Sequence, residues 1–508
     1  MKKDSLFLLI SNSINENGNL PSDFRLPKQD NQSIMFADGA MDGIYIYHMG
    51  HRPLSEEDAD KLASLLKIAA EGKEEEAENG FIEFCNNNRA ISIIEDIQKY
   101  ISNHTSELNP NNMYRFAVKL MTESDHIECV KIGMCILELF NTEGNEALAD
   151  AIRAIGVSEE FTIFSVILMR HWKNGITEIF ELAKRVHGWG RIHCMDFIEP
   201  VNEQIRAWIL ENGVDNEVVP AYSGMVAYEK ADVPAVLTKS NLSKEELHGI
   251  LKIVGAMLDE GPVKGISNLD NPKSFLCSVI KRAASMIPIE VSDYEIIYEI
   301  TVWLDKNGKG DNSEQKKIVD EIFENEGVRK KIAEAVCEGN AIHLAEAIGI
   351  PYKEKVYEVM VKDFDNKYHL CNYIAEDAEY TDKVIKLFED NVDLNLVASG
   401  SGTEMGFGNE YKEHRKLDQI IYELRLFPGK GEKLLTAALR SPVVRNRNMS
   451  VKTLQTWVEE KQSSLEKVSP TLYQLLTDIK DKEVDERLVK DFADLISGCY
   501  EFSKDEDN

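Results

Sequence analysis

The chain has no closely spaced cysteine pairs. Its eight cysteines are scattered over 508 residues, and none forms a Cys-x-x-Cys motif. Most have apolar neighbours, as in Cys135-Ile136-Leu137. This setting fits buried free thiols in a reducing compartment better than a disulfide framework. We therefore expect a cytoplasmic protein.

Long apolar runs are also missing. No segment approaches the roughly 20 apolar residues that a membrane-spanning helix needs. The run Leu6–Ile10 is too short for the core of a signal peptide, and no small-residue cleavage site follows it. The sequence therefore predicts neither a membrane span nor a secretory signal.

Positive charge is scarce. The chain has 58 Lys and Arg against 88 Asp and Glu, a formal net charge of −30, and no concentrated basic patch. Such a surface repels phosphate backbones and anionic membranes, so neither nucleic acid nor a membrane surface is expected as a partner. At 43% apolar residues the chain can still form a real core, which excludes global disorder.

Alternating strand patterns are nearly absent after residue 54, where amphipathic stretches of ten to fifteen residues follow one another with short connections. Ser55 and Ser243 each open such a stretch as helix caps, the latter in a capping box with Glu246. We predict an all-α fold of stacked antiparallel helix pairs, a HEAT-like α-solenoid. The predicted parts are an N-terminal loop or short-strand region (1–54), a helical region (55–213), a connection (214–241) and a second helical region (242–508).

The N-terminal part reads differently from the rest. Two Asp-Gly pairs begin at Asp38 and Asp42, and Ile44–Tyr47 is aromatic and β-branched. One or two short strands, or an extended arm over the helices, are expected here. Asp38, Asp42, Tyr45 and Tyr47 are candidate ligand-binding residues, since acids with aromatics suit a basic or amphipathic peptide. Simple solvation of an acidic surface is the alternative.

The most unusual segment runs from Ala183 to Cys194, where two glycines flank Trp189. One interpretation is a ligand site with an aromatic wall and cationic donors. Its candidate residues are His187, Trp189, Arg191 and His193. The favoured interpretation is structural: Gly188 ends a helix, Trp189 packs a helix corner and Arg191 binds carbonyls.

Metal-ligating patterns are weak. Glu245 and His248 form a Glu-x-x-His pair on a predicted helix, but a di-iron centre needs a second such motif. His48 and His51 flank Gly50 without a third ligand. The Gly-rich stretch 399–408 lacks the spacing of a dinucleotide-binding fingerprint, so a surface loop is the better interpretation. No cofactor is indicated by the residues themselves.

Two resemblances add to this reading. Leu434–Trp457, with its Ser-Pro break and Arg-containing turn, resembles a HEAT-type repeat. Phe36–Gly50, together with the helical body, resembles a group of Firmicute proteins called limonene hydroxylases. That resemblance implies a monooxygenase that oxidises limonene to carveol or perillyl alcohol, with onward dehydrogenation of the alcohol and a nicotinamide cofactor. The resemblance identifies no catalytic residue in this sequence. The alternative function is a non-catalytic scaffold that binds a protein or peptide.

Overall fold

The computed structural model describes residues 5–27, 36–50, 53–261, 263–307 and 312–498. Within these ranges every regular element is a helix, and the only β interaction is an isolated parallel bridge between Glu404 and Val443. The all-α class is therefore confirmed. No helix in the described ranges is long and apolar enough to cross a membrane.

The chain forms two compact units, residues 1–319 and 320–508. The helices of the first unit are α1 (Leu6–Ser13), α2 (Ala40–Ile44), α3 (Glu56–Ala70), α4 (Glu74–Phe84), α5 (Ala90–Asn103), α6 (Pro110–Glu123), α7 (Ile127–Leu137), α8 (Glu146–Gly156), α9 (Glu159–Met169), α10 (Gly175–Ala183), α11 (Gly188–Phe197), α12 (Glu203–Asn212), α13 (Ala221–Lys230), α14 (Val233–Leu237), α15 (Lys244–Leu258), α16 (Pro272–Ala284) and α17 (Val291–Asn307). A π-helical turn, Tyr45–Met49, extends α2, and a 3-10 turn covers Ile266–Asn268. Helices that are close in the chain pack on each other, most extensively α6 on α7, followed by α9 on α11 and α13 on α15.

The boundary between the units falls within α18 (Ser313–Glu324). The second unit continues with α19 (Glu326–Val336), α20 (Ile342–Ala347), α21 (Lys353–Lys362), α22 (Phe364–Lys367), α23 (Thr381–Asn391), α24 (Leu394–Val397), α25 (Lys412–Leu424), α26 (Glu432–Ala438), α27 (Val444–Lys461), α28 (Leu465–Val468), α29 (Pro470–Ile479) and α30 (Glu486–Ser497). Three 3-10 turns, Tyr368–Tyr373, Asn409–Tyr411 and Lys480–Lys482, link them. Its core centres on α25 and α27, where Trp457 is fully buried.

Local sequence explains where several helices begin. The Ser55 hydroxyl accepts the backbone N–H of Asp58, and Ser243 forms the predicted capping box with Glu246. Pro110, Pro272 and Pro470 occupy the first turn of α6, α16 and α29, where a proline costs no helical hydrogen bond.

The expected strand at Ile44–Tyr47 is wrong, because these residues are helical. The first Asp-Gly pair does form a turn, with Gly39 in the left-handed region at the start of α2. The second lies inside that helix. Gly43 is needed for close packing instead, since a Cβ atom there would lie 2.1 Å from the Trp189 ring.

The predicted connection 214–241 lies inside the first unit and is largely helical. It contains α13 and α14. Pro220 and Pro234, which suggested a loop, stand at the helix starts, where their fixed φ angle is compatible with a helix.

The repeat-like stretch also differs from expectation in its turn. α26 does end before the Ser-Pro break, but α27 already begins at Val444, so Arg445 and Arg447 are helical residues. Arg447 is fully buried and binds Glu483 through two hydrogen bonds of 2.8 Å. A distant carboxylate therefore allows a buried helical arginine where the sequence suggested a basic turn.

Candidate functional site

The N-terminal segment, defined here as residues 36–50, is held by a buried ion cluster. The cluster consists of Asp42 from the segment and four residues of the helical body, Arg89, Glu128, Lys131 and Glu160. Asp42 and Lys131 are fully buried and lie 2.6 Å apart. Isolated charges at such depth are very unfavourable, so this pairing fixes the position of Asp42.

Arg89 and Glu160 complete the attachment. The Arg89 guanidinium donates to Asp42 Oδ1 at 3.0 and 3.2 Å and lies 3.1 Å from Glu128. Glu160 pairs with Lys131 and accepts the backbone N–H of Gly39 at 2.6 Å. The segment is therefore held through both a side chain and its backbone.

The cluster contains one more carboxylate than cations. Burial disfavours the charge of Asp42, but the charges of Lys131 and Arg89 outweigh burial and lower its pKa. Glu160 shows the opposite result, because burial outweighs the influence of Lys131 and raises its pKa. The two carboxyls of the same cluster therefore have pKa values that are shifted in opposite directions.

A second contact joins the segment to α11. Trp189, only 5% exposed, packs against Gly43, and its ring centroid is 6.1 Å from that of Tyr47 and 4.9 Å from that of Tyr222. The Tyr47 hydroxyl donates to Asp196 at 2.5 Å. These rings contact one another directly.

The structure brings three of the sequence candidates together at this contact: Tyr47 from the segment, and Trp189 and His193 from α11. Asp42 lies in the ion cluster, and the charge of Asp38 acts on Glu159. His193 is fully buried, its two ring nitrogens have no hydrogen-bond partner among the described residues, and burial lowers its pKa to about 4. It is therefore a neutral imidazole at physiological pH.

The remaining candidates near Trp189 have structural partners. Arg191 donates to the carbonyl of Val186 at 3.0 Å, and His187 lies 3.1 Å from Glu217 on the surface. Gly188 begins α11 with a φ of +51°, so it starts a helix rather than ending one.

The metal candidates are engaged elsewhere or lie outside the described residues. His48 Nε2 is 2.6 Å from the Tyr222 hydroxyl, and His248 Nδ1 is 2.7 Å from Asp293. Glu245 lies in the exposed first turn of α15. His51 is outside the described residues. Among the residues that the structure describes, no group of three or more His, Cys, Asp or Glu is arranged to hold a metal ion.

A pocket of about 330 Å³ lies beside the ion cluster; we call it the N-terminal pocket. Its apolar lining residues come from the segment and the residues after it: Met41, Tyr45, Met49, Pro53 and Leu54. Its polar lining residues are Ser55, Asp58, Asn87, Asn88, Arg89 and Ser92. Arg89 thus both binds the cluster and faces the pocket. This arrangement suits a small molecule with an apolar body and one polar group.

Sequence reasoning identified Asp42 and Tyr45 but missed the groups that hold the segment. Arg89, Lys131 and Glu160 are separated from Asp42 by tens of residues and form no motif. One signal was present, since Glu128 and Lys131 are the only charges in the otherwise apolar helix α7. Charged residues three apart on an apolar helix indicate a buried ion pair.

Comparison with known proteins adds no family. A scan against protein-family models finds no match for this chain, and a search of curated proteins finds none either.

We expect Gly43→Ala to loosen the N-terminal segment. The new methyl group would meet the Trp189 ring at 2.1 Å, and overpacking of this kind costs about 1–3 kcal/mol. Limited proteolysis and amide hydrogen exchange should show faster cleavage and exchange across residues 36–50. The control Gly261→Ala places its methyl group in open space and should change neither. In the double variant Gly43→Ala/Trp189→Ala the two effects should not be additive; full additivity would contradict the proposed contact.

Glu159 gives a pH prediction. Burial is the main reason that the pKa of this carboxyl rises from 4.5 to about 7, and the negative charge of Asp38 is the second reason. The folded state therefore binds this proton more tightly than the unfolded chain, and stability falls as pH rises through the interval 4.5 to 7. Glu159→Gln should raise the free energy of unfolding at pH 8 by on the order of 1–3 kcal/mol and change it much less at pH 4. Unfolding curves in denaturant at both pH values test this, with Glu146→Gln at an exposed position as control. An equal effect of Glu159→Gln at pH 4 and pH 8 would contradict the assignment.

Proposed function

We propose that this chain binds a small apolar molecule of the monoterpene class in the N-terminal pocket and acts on it as a limonene hydroxylase. One observation supports this proposal. Residues 36–50, which resemble limonene hydroxylases, contribute Met41, Tyr45 and Met49 to the lining of the pocket. The volume of about 330 Å³ lies at the lower end of the range for small-molecule sites.

The apolar and polar lining residues suit different parts of such a ligand. Met41 and Met49 have flexible thioether side chains that adapt to an irregular hydrocarbon, and Tyr45 adds an aromatic ring. Among the polar lining residues, Asn87 and Arg89 carry N–H groups that can donate to an oxygen atom. Limonene would contact the apolar lining alone. Its alcohol products would contact both linings.

The pocket residues supply binding and orientation in this proposal. Inserting oxygen into a C–H bond requires an oxygen-activating cofactor or metal. The resemblance implies a nicotinamide cofactor, but the described residues do not fit one. Dinucleotide fingerprints follow a β-strand and open a helix, whereas the Gly-rich stretch 399–408 follows the short helix α24 and leads into a 3-10 turn. We therefore assign no chemical step to a named cofactor.

The proposal predicts both binding and turnover. Purified protein should bind limonene and perillyl alcohol in calorimetric titrations. It should form carveol or perillyl alcohol from limonene and oxygen when a reductant and an oxygen-activating cofactor or metal are supplied. Ser92→Trp, which fills the pocket, should weaken binding at least tenfold, a change of about 1.4 kcal/mol. Ser278→Trp, in a different cavity, should leave binding unchanged.

The outcomes separate the parts of the proposal. Binding without product, in the absence of host extract, would remove the hydroxylase function and retain the ligand site. If neither compound binds, both the ligand site and the hydroxylase function are ruled out.

We propose as a second candidate that the chain is a HEAT-like solenoid scaffold for a basic protein or peptide. Two observations favour it. The first is the net charge of −30, which attracts a basic partner. In addition, Met405 and Phe407 stand 57% and 62% exposed in the second unit. Large exposed apolar side chains on an acidic protein suit an amphipathic basic partner.

The scaffold candidate predicts a charge preference. Selection from a displayed random-peptide library on the purified full chain should enrich sequences that combine Lys or Arg with apolar residues. Their affinity, measured by fluorescence polarisation, should fall as salt rises from 50 to 500 mM, since exposed charges are screened. Enrichment of neutral or acidic sequences would contradict this candidate.

A further inference from the structure

The Gly-rich loop, residues 399–408, is held in a fixed position despite its composition. Its backbone bonds to the stretch before α27: Gly400 donates to the carbonyl of Arg440 at 2.8 Å, and Glu404 donates to that of Pro442 at 3.2 Å. Val444 in turn donates to the Glu404 carbonyl at 3.1 Å. Three backbone hydrogen bonds thus anchor the first half of the loop.

A buried arginine fixes the same part of the loop from inside. Arg447 is fully buried and paired with Glu483, and its Nη2 also donates to the Gly402 carbonyl at 2.8 Å. Its Nη1 donates to the Ser441 carbonyl at 2.6 Å. Because a buried guanidinium must keep its partners, the Gly402 carbonyl is held in a fixed position.

Gly406 determines which side chains point outward. It is buried, has a φ of +77°, and a Cβ atom there would lie 2.7 Å from Val443. Gly406 therefore faces the protein, while its neighbours Met405 and Phe407 are exposed.

A loop with a fixed backbone and exposed apolar side chains is preorganised for binding. The backbone entropy is already lost on folding, so a partner needs to order only two side chains. Aromatic anchors of this kind dominate the binding energy of interfaces.

The charge of the chain identifies the kind of partner. Glu404 and Glu410 flank the two apolar side chains, and both are exposed. A second copy of this chain would bring another net charge of −30 and be repelled. An anionic lipid surface is disfavoured for the same reason.

We propose that Met405 and Phe407 are the anchor residues of a docking site for a basic protein segment. The partner segment provides an apolar recess that is bordered by Lys or Arg and receives the two side chains. This inference rests on the scaffold candidate for the function.

The test uses the full chain and the peptides obtained by library selection. Met405→Ala/Phe407→Ala should weaken the selected basic peptides at least tenfold, because both anchors are lost. Val361→Ala/Val484→Ala is the matched control, since it also truncates two exposed apolar residues of the same unit, and it should leave affinity unchanged. Glu404→Gln/Glu410→Gln should weaken binding less and reduce its salt dependence.

A second measurement shows where the peptide binds. Peptide at saturation should slow amide exchange in residues 399–408. Tight peptide binding that the Met405/Phe407 variant retains, with no protection of the loop, would overturn this inference and leave the scaffold candidate standing. Failure to enrich basic peptides on the parent chain would overturn both.

Discussion

The buried pairing of Asp42 with Lys131 determines the position of the N-terminal segment, and the pocket depends on that position. Both side chains are fully excluded from solvent, and Arg89, Glu128 and Glu160 surround them. Removing one partner from such a cluster leaves an uncompensated buried charge, at a cost of about 3–5 kcal/mol. A hydrophobic contact could shift by a residue at little cost, but this pairing cannot. Met41, Tyr45 and Met49 therefore line the pocket at fixed positions.

Trp189 acts with the cluster in holding the segment. It packs on Gly43 and Tyr47, while Gly39 donates its backbone N–H to Glu160. The aromatic contact and the ion cluster bind the same short helix, α2, at different residues. Glu159, the neighbour of Glu160, has a pKa of about 7, so the stability of this region depends on pH near neutrality.

The two proposed functions use different surfaces for physical reasons. In the first unit, a small concave site combines an apolar lining with hydrogen-bond donors, which suits a small molecule. In the second unit, Met405 and Phe407 project from an ordered loop, which suits a macromolecular partner. The ion pair of Arg447 and Glu483 in the second unit is comparable to that of Lys131 and Asp42 in the first, because each buried pair holds a short segment against the helices of its unit.

The sequence by itself determined what depends on local periodicity and chain-wide composition. The all-α class, the cap at Ser55 and the capping box at Ser243 could all be predicted, since helix propensity and capping act over a few neighbouring residues. Local patterns failed where a distant partner decided the outcome. Ile44–Tyr47 is helical because Trp189 and Lys131 hold its helix, and Arg447 is buried because Glu483 reaches it. Only the tertiary structure could place Arg89 and Lys131 beside Asp42, because contacts between residues 47 and 89 positions apart leave no pattern in the sequence.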